Sequence, residues 1–181
     1  MKRAIPFTVL VSLAVVAGTG SIVGDQAGAA GLTPSTDVAE AASDVGPAVR
    51  ALRTAERRVR NGRPYDLERE THRGTRVWEI DVAVPGERPH ELLVSLDGRR
   101  VVSQSRIRRN LDAARAPQAT VRLATALQTA ARRADGRFHE AEIDRKRGRI
   151  VWEVNFERSG GRETEVTVDA RTGRVVRIER D

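Results

Sequence analysis

An α+β fold made of two repeats, each one helix packed on a small antiparallel sheet, is what this sequence predicts, and three observations predict it. Ile150, Trp152, Val154 and Phe156 alternate with Val151, Glu153 and Asn155, the period-2 pattern of a strand with one face buried. Val166 and Val168, then Val176 and Ile178, continue the apolar face through two more strands, and a sheet with one apolar side needs a cover, which the helical pattern upstream supplies. The same grammar also occurs earlier. Val77-Trp78-Glu79-Ile80-Asp81-Val82 mirrors Val151-Trp152-Glu153-Val154-Asn155-Phe156, with Trp78 and Trp152 separated by 74 positions.

In chain order, residues 1–29 read as a cleaved export signal. Lys2 and Arg3 give a basic start, Ile5 to Ala17 is mostly apolar, and Ala27-Gly28-Ala29 has the small-x-small form of a signal peptidase site. The alternative is a retained anchor, but the run is short of the ~20 residues a bilayer span needs and is broken by Pro6, Ser12 and Gly18. The expected location is therefore extracytoplasmic, with no membrane span after cleavage. Residues 30–44, mixing Gly, Pro, Ser, Thr and Ala, read as a flexible linker.

The first repeat covers residues 45–107. Its helix is expected to start near Ser43 or Asp44 with Pro47 in the first turn, to carry Val45, Val49, Leu52 and Val59 on one face, and to stop at Asn61-Gly62. A strand from Tyr65 to Glu70, the Trp78 strand and a strand through Leu92, Val94 and Leu96 follow, before a turn at Asp97-Gly98. Residues 108–116 are a linker whose conformation the sequence leaves open. The second repeat covers residues 117–181. Pro117 opens its helix, Leu123, Leu127, Ala130 or Ala131, and Ala134 form a thin stripe, and Asp135-Gly136 ends it before a strand from Phe138 to Arg145. In this alignment Asp97 matches Asp169, with two extra residues in the first copy before the turn and two extra in the second within it. With no cysteine to staple them, two units of this size are marginal alone, so their cores should share an interface or their sheets abut.

The second half closely resembles the PepSY domain, over about Val121 to Arg180. The resemblance rests on Ala141-Glu142-Ile143-Asp144, on Gly148-Arg149-Ile150-Val151-Trp152-Glu153-Val154, and most specifically on Val168-Asp169-Ala170-Arg171-Thr172-Gly173-Arg174-Val175. Asp169 suits the start of a type I turn, and Gly173 a position of positive φ. The first half resembles a degenerate copy that keeps Trp78-Glu79-Ile80 and Leu96-Asp97-Gly98 but lacks the Ala-x-Thr-Gly part, so its turn should be tighter, of the type I′ hairpin kind. The resemblance implies an α+β module found in propeptides of secreted metallopeptidases and in exported proteins, proposed to restrain peptidases. It brings no shared catalytic residues.

The residues themselves agree: there is no Cys nucleophile, G-x-S-x-G elbow, H-E-x-x-H, Walker loop or G-x-G-x-x-G. No catalytic, cofactor-binding or metal-binding residue is assigned, and no cofactor is expected. His72, His90 and His139 are read as surface residues, and Asp97 and Asp169 as turn formers in preference to a carboxylate pair. Trp78 and Trp152 are read as core in preference to stacking platforms, because they are in phase with Ile80 and Val154. Net charge is +7, nearly all of it Arg, a bias that GC-rich codon usage produces unaided. Glu79, Asp81, Glu153, Glu163, Glu165 and Asp169 fall on the non-core sheet face while Arg50, Arg53, Arg57, Arg58 and Arg60 crowd one helix, and both are read first as solvated surface. Two binding functions follow. The favoured one is docking on another exported protein, a peptidase or envelope enzyme, through the sheet face, an edge strand or the loop from Pro85 to Pro89. The other is binding an anionic wall polymer through Arg50 to Arg60 and Arg106 to Arg115, with no specific nucleic acid expected.

Overall fold

Alternating strands joined by tight turns fold into neighbouring meanders, and this chain forms two of them. The computed structural model describes the backbone from Thr36 and the side chains from Val45, so the export signal expected over residues 1–29 lies outside the described residues. Thr33–Asp181 is a compact unit. In chain order the elements are helix α1 (Thr36–Arg58), strands β1 (Arg63–His72), β2 (Thr75–Ala83), β3 (His90–Ser95) and β4 (Val101–Arg106), helix α2 (Leu111–Arg115) leading into a 3₁₀ turn (Ala116–Gln118), helix α3 (Leu123–Ala131), and strands β5 (Arg137–Lys146), β6 (Arg149–Glu157), β7 (Glu163–Asp169) and β8 (Val175–Arg180).

The two meanders form one antiparallel sheet, in the order β4-β3-β2-β1-β5-β6-β7-β8. The seam is β1 on β5, with Asp66 opposite Glu142, Leu67 opposite Ala141 and Glu68 opposite Glu140. The expected abutment of the sheets is thus a continuous hydrogen-bonded ladder. It also has a single core: Trp78 of the first meander lies 5.7 Å from Phe138 of the second, which meets Phe156 edge-on at 6.0 Å. Trp78 and Trp152 are 1% and 2% exposed, so both indoles are packing residues. Their N–H groups donate to the carbonyls of Leu96 and Val121. Val49 and Leu52 from α1 and Leu123 and Leu127 from α3 belong to the same buried cluster.

Several boundaries differ from the sequence reading. Helix α1 starts at Thr36, so most of the stretch read as a linker over residues 30–44 is helical; Ala39, Glu40, Ala41 and Ala42 are good helix formers, and Gly and Pro cluster upstream of them. Pro47 consequently sits inside the helix and not in its first turn. Pro117 lies in the 3₁₀ turn, and the second helix begins only at Leu123. The connector is helical at Leu111–Arg115, capped by the Asn110 side chain accepting from the Ala113 N–H at 2.7 Å.

The two turns into β4 and β8 are of one length. Ser95 N–H donates to the Arg100 carbonyl as Asp169 N–H donates to that of Arg174, so Ser95, not Asp97, stands where Asp169 does. Leu96 accordingly leaves the strand and is 37% exposed. The expectation of a tighter first turn fails here. The two-residue hairpins with both central residues at positive φ are Arg73-Gly74 and Arg147-Gly148, at the β1–β2 and β5–β6 corners.

Candidate functional site

In a pleated sheet the residues not aimed at the helices form a second face, and here that face is made of carboxylates. Reading across the registers, one row runs Glu91, Asp81, Asp66, Glu142, Glu153 over five adjacent strands, β3 to β6. The next row runs Glu79, Glu68, Glu140, Asn155, Glu165. Like charges directly opposite one another weaken a sheet. A chain of net charge +7 thus gathers many of its carboxylates on one face.

Helix α2 covers only one end of this face, touching β5 and β2. There Arg115 bridges Asp112 at 2.8 Å and Asp144 at 2.9 Å, while the Asn110 amide reaches the Tyr65 hydroxyl, which donates to Asp81. Burial, then the charge of Asp81, hold that hydroxyl far above its ordinary range, so it stays protonated as a donor.

Burial pushes Glu79 up to about 7, and the charges of Glu91, Asp81, Glu70 and Glu68 add to the shift. Glu153, only 7% exposed, is also raised, chiefly by burial, although Lys146 Nζ sits 2.7 Å from it and pulls the other way. Lys146 is raised in turn by that bond. The side chains of Lys146, Val151, Glu153, Glu165, Arg177 and Glu179 line an open groove of about 610 Å³ at the β8 end of the face.

Two trios bring carboxylate oxygens within 4.8 Å of one another: Asp66, Glu140 and Glu142, and Glu79, Asp81 and Glu91. Their oxygen-only donor set is of the kind hard divalent cations accept. These residues were not among the sites read from sequence. The signal was present as two alternating runs, Asp66-x-Glu68-x-Glu70 and Glu140-x-Glu142-x-Asp144, but only the β1–β5 seam brings them together.

The residues that sequence reading had weighed behave as local structure. Asp97 accepts from the Ser95 hydroxyl at 2.6 Å and the Arg99 N–H at 3.1 Å, and the Ser95 bond first of all holds it below the ordinary carboxylate range. Burial pushes Asp169 up, but the Thr172 N–H and hydroxyl and the Arg171 N–H outweigh it and keep it low. Their strands, β3 and β7, lie five ladder positions from one another, so the turns do not meet. His72 is exposed; His90 Nδ1 pairs with the Gln104 amide at 2.8 Å; His139 lies 3.6 Å from Glu157. The arginines considered for a polyanion are partly committed elsewhere: Arg50 donates to the Asp97 carbonyl, Arg109 to that of Gly86, and Arg106 pairs with Glu87.

Fold and face together define a helix-backed antiparallel sheet whose other side is rich in carboxylates. Residues 121–179 match the family model described as PepSY, "Peptidase propeptide and YPEB domain". The chain is 23% identical over 123 residues to the protein YkoJ of Bacillus subtilis (strain 168), a match spanning 68% of each. Among solved structures it is similar to the CD1622 protein of Clostridium difficile 630, at 13% identity over 72% of this chain and 90% of that one with a TM-score of 0.46. It is similar also to the YpmB protein from Bacillus subtilis, at 12% identity over 82% and 100% of the two chains with a TM-score of 0.34. No helix among the described residues is long and apolar enough to cross a membrane.

Proposed function

We propose that this protein is an exported, non-enzymatic binding module that grips a basic surface on another exported protein, a peptidase or envelope enzyme, with the carboxylate rows of its open sheet face. The first meander is a second, diverged copy of the unit in residues 121–179, and the fusion of the two across β1 and β5 creates the face. The observation that carries this reading is the run of Glu91, Asp81, Asp66, Glu142 and Glu153 across adjacent strands. A cationic surface is complementary to such rows, and electrostatic complementarity supplies specificity and speed of association. The match of residues 121–179 to a family named for peptidase propeptides supports a peptidase as the partner.

The test is inhibition of proteolysis in the exported fraction of the source cells by the full chain, with pulldown from the same fraction. The expected result is loss of a peptidase activity that Glu68→Gln/Glu79→Gln/Glu91→Gln restores, with the effect fading as salt is raised. Unchanged proteolysis with no hydrolase recovered overturns the reading. Displacement of the partner by millimolar calcium, with a raised melting temperature for the chain alone, would reassign the face to cation binding.

A further inference from the structure

A meander that ends on a strand leaves one row of N–H and C=O groups without a neighbour, and this sheet ends on β4 at one side and β8 at the other. The two edges differ in sequence. Strand β4 reads Val-Val-Ser-Gln-Ser-Arg, with its one charge, Arg106, held by Glu87 at 3.1 Å. Strand β8 reads Val-Val-Arg-Ile-Glu-Arg, with Val176 52% exposed and charges of both signs flanking Ile178.

The phase of the β8 ladder follows from its partner. Asp181 N–H donates to the Glu163 carbonyl, and Glu165 lies opposite Glu179. In an antiparallel pair the hydrogen-bonded residues alternate, so Glu179 turns its backbone groups to β7 and Ile178 and Arg180 turn theirs outward. A second strand docking on this edge therefore bonds to Ile178 and Arg180.

We propose that β8 pairs antiparallel with β8 of a second copy of this chain, centred on Ile178, joining the two sheets into one. With that centre the outward groups of Ile178 meet those of Ile178 in the other copy. Arg177 then stands directly opposite Glu179, and Glu179 opposite Arg177, on the open face, where opposite charges across strands favour pairing. Moving the centre by one residue either way sets Arg177 against Arg177 or Glu179 against Glu179, so charge selects the register. Within one chain Arg177 already contacts Glu179, and pairing turns two such contacts into a closed ring of alternating charge. The two-fold axis is perpendicular to the sheet, as isologous contacts of antiparallel edge strands require, so both anionic faces point the same way. Among the described residues helix α3 packs chiefly on β5, β6 and β7, to one side of the β8 edge. The operation repeats the one by which β1 and β5 already join the two meanders.

Sedimentation of the full chain over a range of concentrations, at low and high salt, tests this. A monomer–dimer equilibrium is expected, weakened about tenfold by Arg177→Glu and returned to near the starting value by Arg177→Glu/Glu179→Arg, which restores opposite charges in the swapped order. Ser103→Glu, on the β4 edge, leaves it unchanged. A monomer at every concentration overturns the proposal, as do growth beyond a dimer, a dimer insensitive to Arg177→Glu, and a double swap no better than the single one.

Discussion

Glu79 and Glu153 hold the same place in the two meanders, beside Trp78 and Trp152 on the second strand of each, and they are treated differently. Glu153 has Lys146 Nζ at 2.7 Å, whereas the charges acting on Glu79 are those of Glu91, Asp81, Glu70 and Glu68. In the first meander His72, an exposed residue at the end of β1, stands where Lys146 ends β5. The second meander sets a cation beside this acid, whereas the first surrounds it with further carboxylates. One scaffold can thus place either a cation or further carboxylates beside the same acid, with the choice made at single positions on strand ends.

The turns into β4 and β8 differ as sharply, and they give the largest expected effect. Gly98 has φ +76, and a Cβ there would meet the backbone of Pro47 and Ala51 in α1, where the Thr54 hydroxyl also donates to the Gly98 carbonyl at 2.8 Å. Gly173 has φ +74 but its nearest neighbour would be Val121 at 3.5 Å, an ordinary contact. Gly98→Ala should therefore cost about 3 kcal/mol, adding a clash with helix backbone to the φ penalty, and Gly173→Ala about 1 kcal/mol. Urea unfolding of both variants checks this; equal losses would mean that the helix α1 contact contributes nothing.

Lys146→Met probes the compensated half. It leaves Glu153 buried without its cation, at an expected cost of about 1–2 kcal/mol near pH 8, reduced by the open groove above it. Because burial and this variant both favour the protonated acid, the loss should shrink as pH falls and Glu153 takes up a proton. A loss of the same size near pH 8 and near pH 4 would show that Lys146 acts through its methylene stem and not its charge.

How much of this was legible in the sequence depends on which interaction decided each feature. Strand phase and most core membership were, because burying Trp78, Ile80, Trp152 and Val154 needs only period-2 alternation. Val176, expected on the apolar face, is instead 52% exposed, because a register shift between Thr167 and Val168 sets Val175 against the core in its place. The start of α1 was not, since Ala39 to Ala42 favour helix while neighbouring Ser, Asp, Gly and Pro favour a break, and packing settles such contests. The alignment of the two halves went astray at the turns because Asp97 and Asp169 look alike in sequence, while the ladder pairs Ser95 with Asp169's place. An acidic side to each meander was legible in the phase of Glu79 and Asp81 and of Glu153 and Glu165, but the joining of the two into one face was hidden for a stronger reason. It depends on β1 lying against β5, and cross-strand pairing rules argue against setting Asp66 opposite Glu142 and Glu68 opposite Glu140.

The smallest expected effect is the most specific. The pKa of Glu79 is raised from the ordinary 4.5 to about 7 in the folded protein, so within that window the folded state binds more proton than the unfolded one. Stability then falls as pH rises through the window, with the penalty absent below it and fully felt above it. Because Glu79 is half-buried and solvent screens its neighbours, the penalty is about 1 kcal/mol, well under what the shift alone would imply. Glu79→Gln should raise stability by that amount near pH 8, change nothing near pH 4, and flatten the profile between. Denaturant melts at several pH values measure it. The same substitution weakens a cationic partner's hold if the first meander's charge is kept for binding, so the variant gains stability as it loses grip. A Glu79→Gln protein no more stable near pH 8 than the original would mean that the carboxylates of this face already share protons or neutralise one another, and that the first meander is as self-sufficient as the second.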